Sequence, residues 1–218
     1  MSRRAASSVG NQHQGGAATQ AALVRGAIAA LREVGFAGAS ARQIAQRVGC
    51  NQALIFYHFG SVSNLLLAAL DEVSTWRMAA YRELLDHTGS LADLVDGARS
   101  VFVEDLDAGH VAILVAMISG AHSVPGLGEQ VAARLAPWRE FAETAVERVP
   151  AASRAAALLP AREVAHGVVA GILGLEMLAS LDGDRSAALA LFDRASALAD
   201  LLDRVGRLIA PGRKKGQP

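Results

Sequence analysis

Apolar residues recur at helical spacing from Thr19 onwards and predict a chain built from helices. Thr19 is placed to cap a first helix whose apolar stripe runs to Val34, and Gly35 is placed to end that helix. Ser40 and Gly49 bracket a short second helix in the same way. Both helices therefore carry their own start and stop signals.

A third helix is predicted after a tight turn. Asn51 is placed to cap it, and it runs through Phe59 to a break at Gly60. Two short helices joined by a glycine-containing turn form a helix-turn-helix. A long helix with a continuous apolar stripe is then predicted from Val62 to Leu85.

The rest of the chain also shows helical periodicity. Further helices are expected at 90–106, 110–121, 127–149, 161–181 and 185–209. We expect Pro137 to kink or split one of them, and Pro150 and Pro160 to bracket a short helical piece. No strand-like run is evident, so the predicted fold class is all-α with about nine helices.

The same pattern divides the chain into segments. Residues 1–18 lack apolar periodicity and predict a disordered basic arm, and residues 210–218 predict a flexible basic tail. Residues 19–62 form the predicted helix-turn-helix domain, and residues 63–209 form a larger helical domain.

Composition excludes several classes of protein. The single cysteine, Cys50, rules out a disulfide framework within the chain and suits a reducing compartment. Residues 1–20 hold no apolar signal segment, and the apolar stretch Val111–Val124 is too short to span a bilayer. We therefore expect a cytoplasmic protein with no membrane partner.

Motifs for catalysis are missing from the sequence. The six histidines show no HExxH spacing, and there is no GxSxG, P-loop or GxGxxG motif. We therefore expect no enzymatic activity, no cofactor and no metal site.

Charge is distributed unevenly along the chain. Residues 1–62 hold six arginines and one acid, Glu33, for a net charge of +5, and the remainder carries −5. A basic segment on an otherwise acidic chain is typical of a part that meets a polyanion. The alternative is that these arginines cluster by chance on a surface that only solvent contacts.

The third helix offers a candidate surface for that polyanion. Ile55 and Phe59 share one face, which suits packing on the first two helices. The opposite face, with its edge and N-terminal end, holds Gln52, Ala53, Leu54, Tyr57 and His58. Small and apolar side chains let a helix enter the major groove, glutamine can pair with adenine, and tyrosine or histidine can reach phosphate. The alternative is that this face packs on another part of the protein.

The stretch from Ala22 to Leu66, ALVRGAIAALREVGFAGASARQIAQRVGCNQALIFYHFGSVSNLL, resembles the DNA-binding domain of tetracycline-repressor-type (TetR) regulators. The matching features are Gly35-Phe36, Ser40, Ile44-Ala45, Gly49, the run Ile55–Phe59, and Leu65-Leu66. The resemblance implies a three-helix DNA-binding domain with its recognition helix at Asn51–Phe59.

By this resemblance, side chains that face bases are Arg42, Gln52, Ala53 and Leu54, and contacts to the DNA backbone come from Ser40, Tyr57 and His58. The start of the next helix, at Ser61, can offer amides to a phosphate. Gln20, Phe56 and Val62 depart from the family pattern, and each removes a phosphate partner. We therefore expect a shallow dependence of DNA binding on salt.

The last two helices carry a pattern for pairing with a second copy. Apolar residues of the final helix step by alternating threes and fours over Ala188, Leu191, Ala195, Leu198, Leu202, Val205 and Ile209. The preceding helix carries Gly167, Gly171 and Gly174, which let helix axes approach closely. A four-helix homodimer interface is predicted, and the resemblance implies the same. The alternative is a stripe in the subunit's own core.

The larger domain is also expected to bind a small molecule. Its apolar segments contain the candidate contact residues Phe102, Met117, His122, Trp138, Phe141, His166, Glu176 and Met177. A mostly apolar cavity with a few polar anchors suits a small hydrophobic effector. Trp138 and Phe141 are the first candidates, although an ordinary core or interface role is the simpler interpretation of each residue.

These features together predict a ligand-responsive transcriptional regulator. The simplest form is a repressor that binds a palindromic operator in double-stranded DNA as a homodimer and leaves it when the effector binds. The signal would pass along the helix from Val62 to Leu85. An activator, or a regulator controlled by a partner protein, fits the same sequence.

Overall fold

The computed structural model describes residues 4–148 and 160–209 of the chain. Within those residues the regular structure is entirely α-helical, which confirms the predicted fold class. The helices are α1 (Arg4–Gly38), α2 (Ala41–Val48), α3 (Ala53–Phe59), α4 (Val62–His87), α5 (Leu91–Ala108), α6 (His110–Ala121), α7 (Leu127–Arg148), α8 (Ala161–Asp182) and α9 (Ser186–Ile209).

Packing groups these helices into two compact units. The first combines Met1–Trp76 with Gly109–Arg134, and the second combines Arg77–Ala108 with Leu135–Pro218. Helices α4 and α7 each contribute residues to both units. The sequence alone predicts a boundary at residue 62, because nothing in the periodicity indicates that α6 packs with the N-terminal helices.

The core of the first unit is formed by the apolar stripes of its helices. The side chains of Leu23 and Leu31 on α1, Ile44 on α2, Ile55 on α3 and Leu65 on α4 are all fully buried. These are positions that recur at helical spacing in the sequence, so each helix turns its apolar face inward. This core fixes which face of α3 is left for a partner.

Helix α6 packs on the end of α1 through a glycine. A Cβ atom at Gly120 would lie 2.3 Å from the ring of Phe36, so only glycine admits the ring at this position. Gly35, just before Phe36, has a φ of 66° and a ψ of −171°, an extended positive-φ conformation open essentially to glycine alone, and not the αL conformation predicted for the helix end. The chain kinks at Gly35, and this close contact joins α6 to the first unit.

The predicted caps of the short helices are confirmed. The Oγ of Ser40 accepts a hydrogen bond from the backbone N–H of Gln43 at 3.3 Å. Gly49 ends α2 in the left-handed conformation, with a φ of 73°. The Oδ1 of Asn51 accepts the backbone N–H of Ala53 at 2.8 Å and so satisfies an amide at the start of α3.

The helix bounds differ from the predictions in two places. Helix α1 begins at Arg4 and not at Thr19, so residues 4–18, which we expected to be disordered, are helical. That segment contains no proline and extends an already nucleated helix, which favours its folding, whereas Gly10, Gly15 and Gly16 oppose it. Helix α7 continues through Pro137 without a split. Pro137 is exposed, so solvent can satisfy the carbonyl that loses its N–H donor.

Two further predictions lie outside the described residues: the helical piece between Pro150 and Pro160, and the tail at 210–218.

The second unit is built around α5, α8 and α9. The rings of Phe102 on α5 and Phe192 on α9 have their centroids 5.2 Å apart, and Ala188 is buried beside them. Helix α8 contributes Leu175 to this core. Among the described residues, Ala161–Leu181 of α8 is long and apolar enough to cross a membrane by length and composition alone, with a mean hydropathy of 1.7, yet only 17% of it is buried.

Candidate nucleic-acid interface and effector site

Helix α3 presents one face to the core and the other to solvent. Ile55 is fully buried, whereas Gln52 and Ala53 are exposed and Tyr57 is 80% exposed. Leu54 is half-buried at the edge of the outer face. The sequence predicts that the DNA-binding face of α3 is open to solvent. The exposed side chain of Tyr57 and the exposed start of α3 are consistent with that prediction.

The other predicted DNA contacts surround this face. Arg42 is exposed on α2, one turn or less from the Ser40 cap. The ring of His58 lies edge-to-face against Tyr57, with a centroid distance of 4.9 Å. The Oγ of Ser61 accepts a hydrogen bond from the backbone N–H of Asn64 at 3.1 Å, so Ser61 is the N-cap of α4.

One ion pair in this region was not found from the sequence. The guanidinium of Arg47 on α2 donates two hydrogen bonds to the carboxylate of Glu33 on α1, at 2.8 and 2.6 Å. The hydrogen bond from Arg47 lowers the pKa of Glu33. The only acid among residues 1–62 therefore holds one of the six arginines, and it joins α1 to α2.

The comparison with known proteins bears on this region first. Residues 23–69 match the family model described as bacterial regulatory proteins, tetR family. This segment is therefore similar to bacterial regulatory proteins of the tetR family, as its sequence predicts.

Solved structures of transcriptional regulators share the fold over most of their length. A TetR-family regulator from Agrobacterium tumefaciens superposes with a TM-score of 0.67 at 20% identity, covering 87% of this chain and 98% of that one. A putative transcriptional regulator from Pseudomonas aeruginosa PAO1 gives 0.68 at 21% identity, covering 87% and 92%. The fatty acid degradation regulator FadR from Bacillus halodurans gives 0.68 at 12% identity, covering 82% and 96%. No protein of curated function is significantly similar to the chain.

Among the described residues, nothing covers the outer faces of α8 and α9, which are apolar. A Cβ atom added at Gly167, Gly171 or Gly174 would meet nothing within 4 Å. On α9, Leu191 and Leu198 are 52% and 57% exposed. Further exposed apolar residues of the two helices are Leu178, Leu181, Leu201 and Val205.

The predicted seam of α9 divides between two surfaces. Ala188, its first member, is buried against Phe102 and Phe192 of the same subunit, so the intramolecular alternative holds at that position. Ala195 and Leu202 are half-buried between the two faces. Apolar residues three and four positions apart cover a wide arc of the helix surface. One side of this arc on α9 packs in the subunit's own core, and the other side is exposed.

Three of the predicted effector contacts come together in the second unit around an arginine. Arg77 on α4 donates hydrogen bonds to the carboxylates of Asp105 on α5 and Glu176 on α8, the latter at 3.2 Å to Oε1. The Arg77 guanidinium carbon also lies 5.2 Å from the ring centroid of Trp138 on α7. We call Arg77, Asp105 and Glu176 the charge cluster.

An aromatic group borders the charge cluster. The ring of Tyr81 lies edge-to-face against Trp138 and against Phe141, with centroid distances of 5.6 and 5.9 Å. Tyr81 is buried, and burial raises the pKa of its hydroxyl. Trp138 and Phe141 are only partly buried. We call these three residues the aromatic group.

The remaining predicted effector residues lie elsewhere. Phe102 is fully buried in the α5–α9 core, and Met177 is 45% exposed on α8. His166 is exposed on α8. Met117 and His122 belong to the first unit, where Met117 is fully buried and His122 is exposed at the end of α6. Their contacts with an effector stay predictions.

Sequence reasoning missed Arg77, Tyr81 and Asp105. A signal was present, because Arg77 follows Val73 by four positions and precedes Tyr81 by four, which places it on the buried stripe of α4. A basic residue on an apolar stripe needs a buried partner, and Asp105 and Glu176 are those partners.

Proposed function

We propose that the protein is a ligand-responsive repressor that binds a palindromic operator as a homodimer and leaves it when a small effector binds. The observation that carries this proposal is the solvent-exposed face of α3, where Gln52, Ala53 and Tyr57 are all exposed. A helix that buries Ile55 and leaves such a face open fits a major groove.

The homodimer follows from the apolar outer faces of α8 and α9. A stripe of glycines beside exposed leucines is costly in water, and pairing with the same faces of a second subunit would bury it. A two-fold dimer would present two recognition helices, and two helices about 34–36 Å apart fit successive major grooves of a palindrome.

The effector response is assigned to the second unit. The charge cluster and aromatic group include side chains from α4, and α4 also contributes Leu65 to the core of the first unit. An effector that binds there and prefers one conformation of α4 would shift the population towards dimers whose recognition helices no longer match the operator spacing.

Selection from a pool of random duplexes by the purified full-length chain tests this proposal. We expect a near-palindrome with two half-sites centred about one helical turn apart, bound by one dimer or a multiple of dimers. Recovery of no preferred sequence, or binding by a monomer to a single half-site, would contradict the proposal. A reporter driven from the recovered operator then distinguishes a repressor from an activator, because expression falls with the former and rises with the latter.

A further inference from the structure

Helix α3 has little buried surface of its own. It is seven residues long, and Ile55 is its one buried residue. The Oδ1 of Asn51 caps its start, whereas the carbonyls of the last turn of a helix have no partners within that helix. A single buried side chain fixes where α3 lies but not the direction in which it points. Other contacts must therefore set that direction.

The backbone between α3 and α4 does not set the direction by itself. The axes of the two helices are bent by 66° at the break between them. Gly60 occupies this break with a φ of 75°, and glycine has no Cβ atom to restrict the backbone there. A contact between the two helices is therefore needed to keep the bend at one value.

Asn64 makes such a contact from the first turn of α4. Its Nδ2 donates a hydrogen bond to the backbone carbonyl of Phe59, the last residue of α3, at 2.8 Å. Because the partner is a carbonyl, the nitrogen of the amide and not its oxygen must face it. A Cβ atom at Gly60 would lie 3.8 Å from the same nitrogen. The side chain of Asn64 thus lies across the break and satisfies a carbonyl at the end of α3.

Asn64 is itself held in place by α4. Its backbone N–H donates a hydrogen bond to the Oγ of Ser61 at 3.1 Å. The next two residues, Leu65 and Leu66, are buried in the first unit. The first turn of α4 is therefore anchored, and the hydrogen bond to Phe59 joins the end of α3 to this anchored turn.

We infer that Asn64 is a positioning residue that holds α3 at a fixed angle to α4 and so directs the outer face of α3. The inference deepens the proposed function and rests on it for the DNA that this face meets. In a two-fold dimer, one added base pair between the half-sites rotates one half-site by roughly 35° relative to the other. A fixed α3 should reject such a site, whereas a released α3 should tolerate it.

Two substitutions remove the hydrogen bond in different ways. Asn64→Ala deletes the donor. Asn64→Asp keeps the size of the side chain and suits the start of α4, where an acid is favourable, but an ionised carboxylate offers no donor to Phe59. Ser63→Ala, at the preceding position of α4, is the matched control because it leaves the Asn64 amide in place. Asn64 is exposed, so both of its variants should fold, and circular dichroism establishes that all three do.

The first measurement uses the free full-length protein and needs no operator. Residual dipolar couplings of backbone amides report the direction of each helix. In the wild type and in Ser63→Ala, the couplings of α3 and α4 should fit one common orientation. In both Asn64 variants the couplings of α3 should shrink, while those of α4 stay unchanged and the chemical shifts of α3 stay helical.

The second measurement compares the selected operator with the same site lengthened by one base pair between its half-sites. We expect the wild type and Ser63→Ala to bind the lengthened site at least about tenfold more weakly than the matched one. In both Asn64 variants this ratio should fall by at least about threefold, because a hydrogen bond that favours the matched geometry is lost. The charge added by Asn64→Asp weakens binding to both sites and leaves the ratio to report on position.

Unchanged α3 couplings in both Asn64 variants would overturn the inference. Equal loss of the couplings in Ser63→Ala would also overturn it, because the start of α4 would then loosen whichever residue is changed. Affinity that falls by the same factor for both sites would make Asn64 a direct DNA contact and not a positioning residue. Reduced α3 couplings in the Asn64 variants of a protein that selects no operator would uphold the positioning role and overturn the proposed function.

Discussion

The carboxylate of Asp203 accepts the backbone N–H of Ala92 at 3.1 Å, although the two residues lie 111 positions apart in the chain. The same carboxylate accepts the N–H of Leu91 at 3.3 Å. Ser90 supplies a local cap, since its Oγ accepts the N–H of Asp93 at 3.1 Å. The start of α5 is therefore satisfied partly by its own sequence and partly by α9, and a buried anion is placed at the positive end of a helix dipole.

Replacement of this tertiary cap should destabilise the fold. We expect Asp203→Ala to lower the free energy of unfolding by about 1–2 kcal/mol, because one buried amide and one partly buried amide lose their acceptor. Urea denaturation at fixed protein concentration measures the change. Asp200→Ala is the control, because Asp200 is exposed and its pair with Arg204 is 3.9 Å long, and it should change stability by less than about 0.5 kcal/mol. Similar values for both variants would mean that the cap contributes little.

Gly120 should tolerate no side chain. A Cβ atom there would overlap the Phe36 ring at 2.3 Å, so Gly120→Ala should cost about 1–3 kcal/mol and loosen α6 from α1. Gly128→Ala provides a comparison in the same unit, since its Cβ would make only ordinary contacts at 3.8 Å. Thermal unfolding should show a lower midpoint for the first variant alone, and a midpoint like that of wild type would place Phe36 elsewhere.

Substitution of a glycine on α8 tests whether the outer face of this helix pairs with a second subunit or faces solvent. A Cβ atom at Gly171 would meet nothing within 4 Å in the subunit and the position is exposed, so Gly171→Leu should keep or slightly raise helicity. If the face pairs with a second subunit, the added side chain should weaken dimerisation by at least about tenfold in sedimentation equilibrium. Glu104→Leu adds an apolar side chain to an exposed position on α5 and should not affect association. An unaltered dimer in Gly171→Leu would locate the interface on another surface.

The two faces of α3 should respond differently to truncation. Tyr57→Ala or Gln52→Ala should weaken operator binding by about 1–3 kcal/mol with helicity and dimerisation unchanged, because both side chains are exposed. Ile55→Ala should instead destabilise the first unit by about 2–5 kcal/mol, because Ile55 is fully buried. Loss of the fold in Tyr57→Ala would mean that the Tyr57 ring packs in the core of the first unit.

Glu176 should make the ligand-free protein less stable as the pH rises. Burial raises its pKa in the folded state from 4.5 to about 7, so its contribution is fully present below pH 4.5 and is lost as the pH rises through about 7. Relative to wild type, Glu176→Gln should gain stability on the order of 2–3 kcal/mol between pH 5 and pH 8. Urea denaturation across that range measures the difference. Parallel curves for the two proteins would indicate that Glu176 stays ionised throughout.

The features that could be predicted from the sequence are those set by neighbouring residues. The caps at Ser40 and Asn51 and the turn at Gly49 depend on interactions within three positions, and all three are as predicted. Helical periodicity likewise identifies Ile55 as the buried side of α3.

The features that could not be predicted depend on packing between distant segments. Arg47 pairs with Glu33 on another helix, and Arg77 joins Asp105 and Glu176 from two others. Periodicity gives the face on which a residue lies but not its partner. For the same reason a single stripe on α9 could not be divided between the buried Ala188 and the exposed Leu198.

The contact of Phe36 with Gly120 limits how this protein can be recombined with others. The helices around α3 form one folded unit with α6, and Gly120 on α6 lies 84 positions after Phe36 in the chain. A chimera joined at residue 62 would therefore transfer the N-terminal helices without α6 and leave the ring of Phe36 without the surface on which it packs. Under the proposed function, exchange of DNA specificity requires grafting the outer face of α3 alone, or moving two separate stretches of chain together.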